Sequence, residues 1–137
     1  MAITMDVRTE KTDIDEYAQH LFQKYSETVF ADDYENLMKF YDDSAVLIER
    51  GKESFYGVKS IIEAIKAYHT GLGPGTTKNS EFKVEHTDNV ITICCKYRVQ
   101  SVLKNQTWEG EYIQYWKSEI GQLPKIIRDE FSIDKKY

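Results

Sequence analysis

The chain has 137 residues, 41% of them hydrophobic and 13% aromatic, which is enough for one domain with a core and too few for two ordinary domains. Eighteen basic residues against 23 acidic ones give a formal net charge of −5 at pH 7, without a basic run. Because proteins bind nucleic-acid backbones mainly through clustered Lys and Arg, this balance argues against a nucleic-acid partner. We expect one domain over residues 13–137, preceded by a flexible tail over residues 1–12.

Targeting and metal-binding signals are missing from the sequence. The N-terminal segment lacks a continuous apolar stretch, and no segment approaches the roughly 20 apolar residues of a membrane span. We therefore expect a cytoplasmic protein without a membrane partner. His20, His69 and His86 fall on separate predicted elements without the spacing of a metal site, so we expect no metal and no cofactor.

Helical periodicity dominates the first part of the chain. Apolar residues at helical spacing predict a long amphipathic helix over residues 13–30. Asp32, followed three residues later by Glu35, resembles a capping box and predicts a second helix with Tyr41 on its apolar face.

A hairpin and a third helix follow. Residues 45–50 and 53–56 alternate as two short strands joined by a tight turn. Gly57 then precedes a helical pattern that ends in the glycine-rich residues 69–75. Because this glycine run follows a helix and lacks the Gly-Lys-Ser/Thr ending, it does not indicate a phosphate loop.

The rest of the chain is strand-like. Four alternating runs, separated by turn residues, predict strands at about residues 79–87, 90–103, 107–118 and 124–134. Helices followed by a meander of long strands indicate an α+β domain, with the helices packed on one face of a curved antiparallel sheet.

Two of these strands carry polar side chains on faces that are otherwise aromatic and apolar. Gln114 and Asp129 each share the parity of large apolar neighbours, so both point toward the expected core. A buried amide or carboxyl costs free energy unless it is paired, which predicts a cavity there, with a protein partner, a ligand or water beside these groups. The side chains expected to line this cavity are Tyr17, Tyr97, Tyr112, Trp116, Asp129 and Phe131.

The order of elements resembles the nuclear transport factor 2-like superfamily over about residues 12–134, and especially its SnoaL-like and ketosteroid-isomerase-like branches. The similarity is carried by residues 39–49, by Gly57, and by residues 112–117 and 128–132 in the last third of the chain. These last two segments look particularly like those of the uncharacterised members. The resemblance implies a cone-shaped, strongly curved antiparallel sheet with about three helices on its concave face, a cystatin-like fold.

The resemblance also implies candidate catalytic residues. Ketosteroid isomerases use an acidic base on the first strand, a tyrosine on the first helix and a protonated aspartic acid on a later strand. Laid on this chain, these positions fall on Glu49, Tyr25 and near Gln114. The implied chemistry is proton abstraction next to a carbonyl, with a desolvated Glu49 as base. The amide of Gln114 would keep a donor but not a strong acid, and Glu49, beside a hairpin tip, has the alternative of being a solvated or paired charge.

Three functions stay open at this point. The first is a pocket protein for an apolar or aromatic small molecule with a polar handle, and the second is a cofactor-free isomerase, cyclase or dehydratase. The third is a protein-interaction module that forms a homodimer through the outer face of the sheet. That face is predicted to consist of Cys94, Lys96, Arg98, Gln100, Glu109, Glu111, Ile113 and Tyr115.

Overall fold

The structure, a computed structural model, describes residues 11–137, so most of the predicted tail lies outside the described residues. It contains three helices and seven strands, with a short 3-10 turn before the first strand. The helices are α1 (Lys11–Phe30), α2 (Tyr34–Leu37) and α3 (Val58–Leu72). The strands are β1 (Tyr41–Glu49), β2 (Glu53–Tyr56), β3 (Gly75–Thr87), β4 (Val90–Ser101), β5 (Gln106–Lys117), β6 (Lys125–Phe131) and β7 (Lys135–Lys136).

All seven strands belong to one sheet, in the order β2-β1-β6-β5-β4-β3, with β7 paired to β5. The pairs are antiparallel except for β1 and β6, which run parallel. Parallel neighbours need a long crossover, and here α3 and four strands lie between them in the chain. The α+β prediction is confirmed, with a mixed sheet instead of a purely antiparallel one.

The two long helices pack on one face of this sheet. α1 contacts β3 and β4, whereas α3 contacts β1 and β2, so the central strands β5 and β6 lie beneath the space between the helices. Apolar side chains from both helices and from the inner face form the core, where each buried aliphatic group contributes through its removal from water. The fully or nearly fully buried members include Ala18, Tyr25, Leu37, Tyr41, Ile61, Ile91, Ile93, Trp116 and Ile126.

The second helix differs from its prediction. It is a single turn, and its N-cap is Asp33, whose Oδ1 accepts the backbone N–H of Asn36 at 3.3 Å. Asp32, the predicted cap, has a φ of +53° and lies one residue earlier. Tyr41, predicted on the apolar face of this helix, is instead the first residue of β1 and is 1% exposed.

A bulge between β5 and β6 sets which side chains of β6 enter the core. Tyr115 pairs with Arg128, but Trp116 pairs with Ile126, so Ile127 is an extra residue between the two pairs. Such a bulge shifts the alternation by one position and bends the strand. Strict alternation from Asp129 would put Ile127 on the inner face, whereas Ile126 is the fully buried residue.

The backbone that follows β6 approaches β5 so closely that β5 needs a glycine at the point of contact. A Cβ at Gly110 would lie 1.9 Å from the carbonyl oxygen of Ser132, which only a residue without a side chain tolerates. The same carbonyl accepts the hydroxyl of Tyr97 at 2.5 Å and so holds this ring in place on the inner face. None of the helices in residues 11–137 is both long and apolar enough to cross a bilayer.

Candidate functional site

A cavity of about 890 Å³ lies between α1, α3 and the inner face of the sheet. Its volume falls within the roughly 300–1,000 Å³ of small-molecule sites, which are mostly apolar with a few polar groups. Nine of its 25 lining residues are aromatic, and the others are aliphatic, glycine, proline or polar residues. The aromatic ones are Phe22, Tyr25, Phe30, Tyr34, Tyr68, Tyr97, Trp108, Tyr112 and Phe131.

Asp129 is the carboxyl group at the floor of this cavity. It lies in the middle of β6, paired in register with Leu47 on one side and Gln114 on the other, and its exposure is 0%. Its Oδ2 accepts the hydroxyl of Tyr41 at 2.7 Å and lies 3.3 Å from the hydroxyl of Tyr25. Its Oδ1 has no hydrogen-bond partner among residues 11–137.

Three tyrosine hydroxyls form a directed chain that ends on Asp129. The hydroxyl oxygen of Tyr25 lies 2.7 Å from that of Tyr41 and 3.2 Å from that of Tyr112. Each phenol has one hydrogen to donate, and Tyr41 uses its own on the carboxyl. Tyr25 therefore donates to Tyr41, and Tyr112 donates to Tyr25. We call the series Tyr112, Tyr25, Tyr41 and Asp129 the tyrosine chain.

Burial and the tyrosine chain shift the pKa of Asp129 in opposite directions. Burial raises the pKa of Asp129 to about 6, while the neighbouring polar side chains of Tyr41, Tyr112, Tyr25 and Gln114 lower it. Burial, together with the nearby carboxylate, raises the pKa of each of the three phenols well above its ordinary value. At neutral pH the phenols are therefore neutral donors and Asp129 carries the negative charge.

Gln114 lies behind Asp129 and does not line the cavity. It is fully buried, and its Oε1 accepts the indole N–H of Trp116 at 3.1 Å. Its Nε2 has no hydrogen-bond partner in the described part of the chain, although the side chain lowers the pKa of Asp129. Gln114 thus lies beside Asp129 on the neighbouring strand, and its amide favours the ionised carboxyl.

Glu49, the predicted base, lies at the end of β1 and outside the cavity lining. Its Oε1 accepts the hydroxyl of Tyr68 at 2.7 Å, and its Oε2 lies 3.9 Å from the ammonium of Lys52. Of the three residues predicted as catalytic, Tyr25 lines the cavity, while Glu49 reaches it only through Tyr68. The structure does not bring Glu49 to Gln114, and the catalytic roles of all three stay predictions.

Two of the residues predicted to line the cavity lie elsewhere. Trp116 is fully buried two residues beyond Gln114 on β5, where it packs against Tyr25 and Phe40 with ring centroids 6.4 and 6.1 Å away. Tyr17 is half-buried on α1, before the turn that reaches the cavity. The cavity lining does include Tyr97, Tyr112, Asp129 and Phe131.

The sequence reasoning missed Tyr41 and Tyr68, each of which binds a buried carboxylate. The alternation of Ala45, Leu47 and Glu49 extends back to Tyr41, and this signal could have moved Tyr41 from the second helix to the first strand. For Tyr68, helical spacing placed the ring on the core face of α3, but nothing local indicated its partner.

The mouth of the cavity carries a second polar group. The Nδ1 of His69 and the Oδ1 of Asp32 are 3.1 Å apart, and the hydroxyl of Tyr34 donates to the same Oδ1 at 3.1 Å. All three side chains line the cavity. His69 therefore links the end of α3 to the segment that follows α1. In the described chain, no set of three or more His, Cys, Asp or Glu side chains could hold a metal ion.

Neither a protein-family model nor a curated protein matches the sequence. Solved structures do match over nearly the whole chain. An NTF2-like protein of unknown function from Pseudomonas putida KT2440 is 15% identical, with a TM-score of 0.76 over 90% of this chain and 89% of that one. A protein of unknown function with a cystatin-like fold from Nostoc punctiforme is 12% identical, with a TM-score of 0.74 over 98% and 96%.

A third similar structure carries the provisional name scytalone dehydratase and comes from Novosphingobium aromaticivorans DSM 12444. It is 12% identical, with a TM-score of 0.73 over 92% of this chain and 90% of that one. At such identities the likeness shows the fold alone. It confirms the fold that the order of sequence elements predicted.

Proposed function

For this domain of nuclear transport factor 2-like, cystatin-like fold, we propose binding of a small apolar or aromatic molecule with one polar group. The observation that carries the proposal is Asp129, a fully buried carboxylate on a cavity wall rich in aromatic side chains, whose Oδ1 has no partner among residues 11–137. An unpaired buried acceptor costs about 1–3 kcal/mol or more when charged. A hydrogen-bond donor on the ligand would remove that cost, so Asp129 is the polar anchor of the site.

The tyrosine chain supports this role. Its hydrogens fix the carboxyl through Oδ2 and leave Oδ1 available, so the anchor is held rigidly before a ligand arrives. Preorganised polar groups of this kind bind with less loss of side-chain freedom. The aromatic wall provides the apolar area from which most of the binding free energy of such a ligand would come.

Acid–base turnover in the same cavity is our second candidate function. A carboxyl with a pKa near 6 is matched to proton transfer at neutral pH, and the neutral phenols beside it could stabilise a developing oxyanion. The reaction would be a cofactor-free isomerisation, cyclisation or dehydration. One structural neighbour carries the name of an enzyme, which supports turnover as a possibility of this fold.

A thermal-shift screen tests the proposed binding. The panel contains steroids, polyketide-like aromatics, fatty acids and small carbonyl compounds, and a ligand at 100 times its Kd stabilises the fold by about 2.7 kcal/mol. We expect a hit whose shift is reduced in Asp129→Asn and kept in the matched variant Glu49→Gln. A Val99→Phe substitution, which fills part of the cavity, should abolish the shift.

Each variant also carries a result that would contradict the proposal. A shift that survives both Asp129→Asn and Val99→Phe would place the ligand outside this cavity. No shift with any class of compound would contradict small-molecule binding. Hits from the screen are then assayed for turnover, where loss of activity in Glu49→Gln alone would identify Glu49, and not Asp129, as the base.

For the outer face of the sheet we propose a homodimer contact. The helices cover the inner face, whereas Ile113 and Tyr115 lie half-buried on the outer face, with the guanidinium of Arg128 5.8 Å from the Tyr115 ring. Apolar and aromatic groups among charged ones suit a moderate interface. Sedimentation of the wild type as a dimer and of Tyr115→Glu as a monomer would support the contact, with Gln100→Glu on the same face as the control. A monomeric wild type would exclude it.

A further inference from the structure

We propose that the cavity selects a protonated amine, an apolar or aromatic molecule whose primary or secondary ammonium group donates to Oδ1 of Asp129. This inference rests on the proposed function, because it requires a small molecule in the cavity. It goes further by naming the chemical class of the polar group. Three independent features of the described residues lead to it.

The first feature is the direction of the hydrogens at the cavity floor. Because Tyr112 donates to Tyr25, and Tyr25 to Tyr41, the hydroxyl hydrogens point away from the cavity and toward the carboxylate. The floor therefore offers acceptors, namely Oδ1 of Asp129 and the lone pairs of Tyr112. A ligand that donates hydrogen bonds fits this floor, whereas the indole N–H of Trp108, which also lines the cavity without a partner, suits an acceptor elsewhere on the ligand.

The second feature is the missing counter-charge of Asp129. The three carboxylates that are buried in the described chain are Glu49, Asp129 and Glu130. Glu49 has Lys52 at 3.9 Å, and Glu130 has Arg50 at 3.8 Å and a closer contact with Arg128. Around Asp129, the groups from the packed elements are the phenols of Tyr25 on α1, Tyr41 on β1 and Tyr112 on β5, together with the amide of Gln114.

No basic side chain within residues 11–137 therefore pairs with Asp129, which separates it from the other buried carboxylates. A buried charge is normally paired, and the unpaired one here faces a cavity. Among the described cavity-lining residues there is no Lys or Arg, and His69 is bound to Asp32 at the mouth. The electrostatic balance of the site thus favours a ligand cation and disfavours an anion.

The third feature is the set of aromatic side chains around the cavity floor. The ring of Tyr112 lies edge-on to Phe22 and Tyr97, with centroids 6.1 and 6.3 Å away and interplanar angles of 74° and 86°. Aromatic rings attract a cation to their faces, and combined aromatic and anionic sites recognise ammonium groups in this way. The same rings would pack against the apolar body of the amine.

Three probes of the same shape test the inference by calorimetric titration at pH 7.5. They are 1-naphthylmethylamine, 1-naphthalenemethanol and 1-naphthoic acid, which differ only in carrying a cation, a neutral hydroxyl or an anion. We expect the amine to bind at least tenfold more tightly than the alcohol, and the acid to bind more weakly than either. Equal or tighter binding of the alcohol or the acid would overturn the inference.

Two variants show whether the preference comes from Asp129. In Asp129→Asn the affinity for the amine should fall at least tenfold, while the affinity for the alcohol stays within about threefold and so reports an intact cavity. In the matched variant Glu130→Gln, which removes another buried carboxylate that does not line the cavity, the amine should bind as in the wild type. A preference for the amine that persists in Asp129→Asn would contradict the assignment.

A titration of the wild type against pH provides a check without any substitution. An alkylamine stays protonated at pH 5 and at pH 7.5, whereas a carboxyl with a pKa of about 6 is mostly protonated at pH 5. The affinity for the amine should therefore fall about tenfold from pH 7.5 to pH 5, and that of the alcohol should not. An amine affinity that does not change would overturn the inference.

The outcome for the inference can be separated from that for the proposed function. If the amine does not bind but neutral compounds of the screen stabilise the fold in an Asp129-dependent manner, the cavity is a binding site and the amine preference is wrong. If neither the probes nor the screening compounds bind, the proposed function fails, and the inference fails with it.

Discussion

Asp129 and Glu49 are two buried carboxyl groups on neighbouring strands of the same sheet face, yet their surroundings differ in one respect. Each accepts a tyrosine hydroxyl at 2.7 Å, Asp129 from Tyr41 and Glu49 from Tyr68. Glu49 lies at the end of its strand, where the ammonium of Lys52 reaches it at 3.9 Å. Asp129 lies in the middle of its strand, with neutral groups around it and the cavity in front.

The comparison shows that the two carboxylates on this face differ in whether a cation from a neighbouring turn reaches them. A carboxylate at a strand end finds a solvated cation from the adjoining turn, so its charge is satisfied inside the protein. Asp129, in the middle of a central strand, has no such cation, and a ligand in the cavity is the remaining source of a counter-charge.

The largest expected effect is on the pH dependence of stability. The pKa of Asp129 is raised from its ordinary 3.8 to about 6 in the folded protein, so the native state binds this proton more tightly than the unfolded state. This contribution to stability is fully present below pH 4 and is lost as pH rises through 6. A difference of about two pKa units corresponds to roughly 3 kcal/mol.

Urea unfolding of the wild type and of Asp129→Asn at several pH values measures this term. The free energy of unfolding of the wild type, relative to that of Asp129→Asn, should fall from pH 4 to pH 7. Above pH 7 this difference should stay constant. Because other carboxyl groups titrate in both proteins, their effect cancels in the difference. A difference that is constant over the whole range would show that Asp129 is not held in a desolvated site.

The next effect separates the two tyrosines that bind these carboxylates. Tyr41→Phe removes a fully buried hydrogen bond to a charged group, so we expect a loss of about 1.5–3 kcal/mol at pH 7.5. Tyr68→Phe removes a bond of the same length at a half-buried position where water can replace the hydroxyl, and should cost less than about 1 kcal/mol. Equal losses in the two variants would contradict the contrast between the sites.

A smaller effect is expected at the cavity end of the tyrosine chain. Tyr112→Phe removes a neutral hydrogen bond of 3.2 Å to Tyr25, so the loss should be about 0.5–1.5 kcal/mol. Tyr34→Phe, whose hydroxyl bonds an exposed carboxylate at the mouth, serves as the control with a smaller loss. If Tyr112→Phe cost more than Tyr41→Phe, the order of the chain would be wrong.

The smallest effect is expected at the ammonium beside Glu49. The side chain of Lys52 is 65% exposed, and pairs of this kind contribute about 0–1 kcal/mol. Lys52→Ala should therefore change the free energy of unfolding by less than about 0.5 kcal/mol in chemical denaturation. A loss above 1 kcal/mol would mean that the cation, and not Tyr68, holds the Glu49 carboxylate in place.

Much of the fold follows from periodicity alone. The long first helix, the hairpin, the third helix and the four long strands are all predictable, because each has a regular apolar pattern and recognisable turn residues. The same alternation identifies Gln114 and Asp129 as polar groups that face inward. The parallel pairing of β1 with β6 is not predictable in this way, because it depends on how distant segments meet.

The composition of the site was harder to predict than its location. Glu49 had the stronger case by resemblance, and its Tyr68 and Lys52 partners come from elements that only the folded chain brings together. The tyrosine chain is likewise assembled from one helix and three strands. Tyr41 was placed on a helix because it continues the helical spacing of Tyr34, Leu37 and Met38.

The most direct test of the central claim is the carboxyl pKa of Asp129, measured by carbon-detected NMR with and without saturating 1-naphthylmethylamine. We predict a value of about 6 in the free protein and a fall of more than one unit when the amine is bound, because a bound cation favours the ionised carboxyl. A free value near the ordinary 3.8, or a value that the amine does not change, would contradict the account of Asp129 as the unpaired anchor of the cavity.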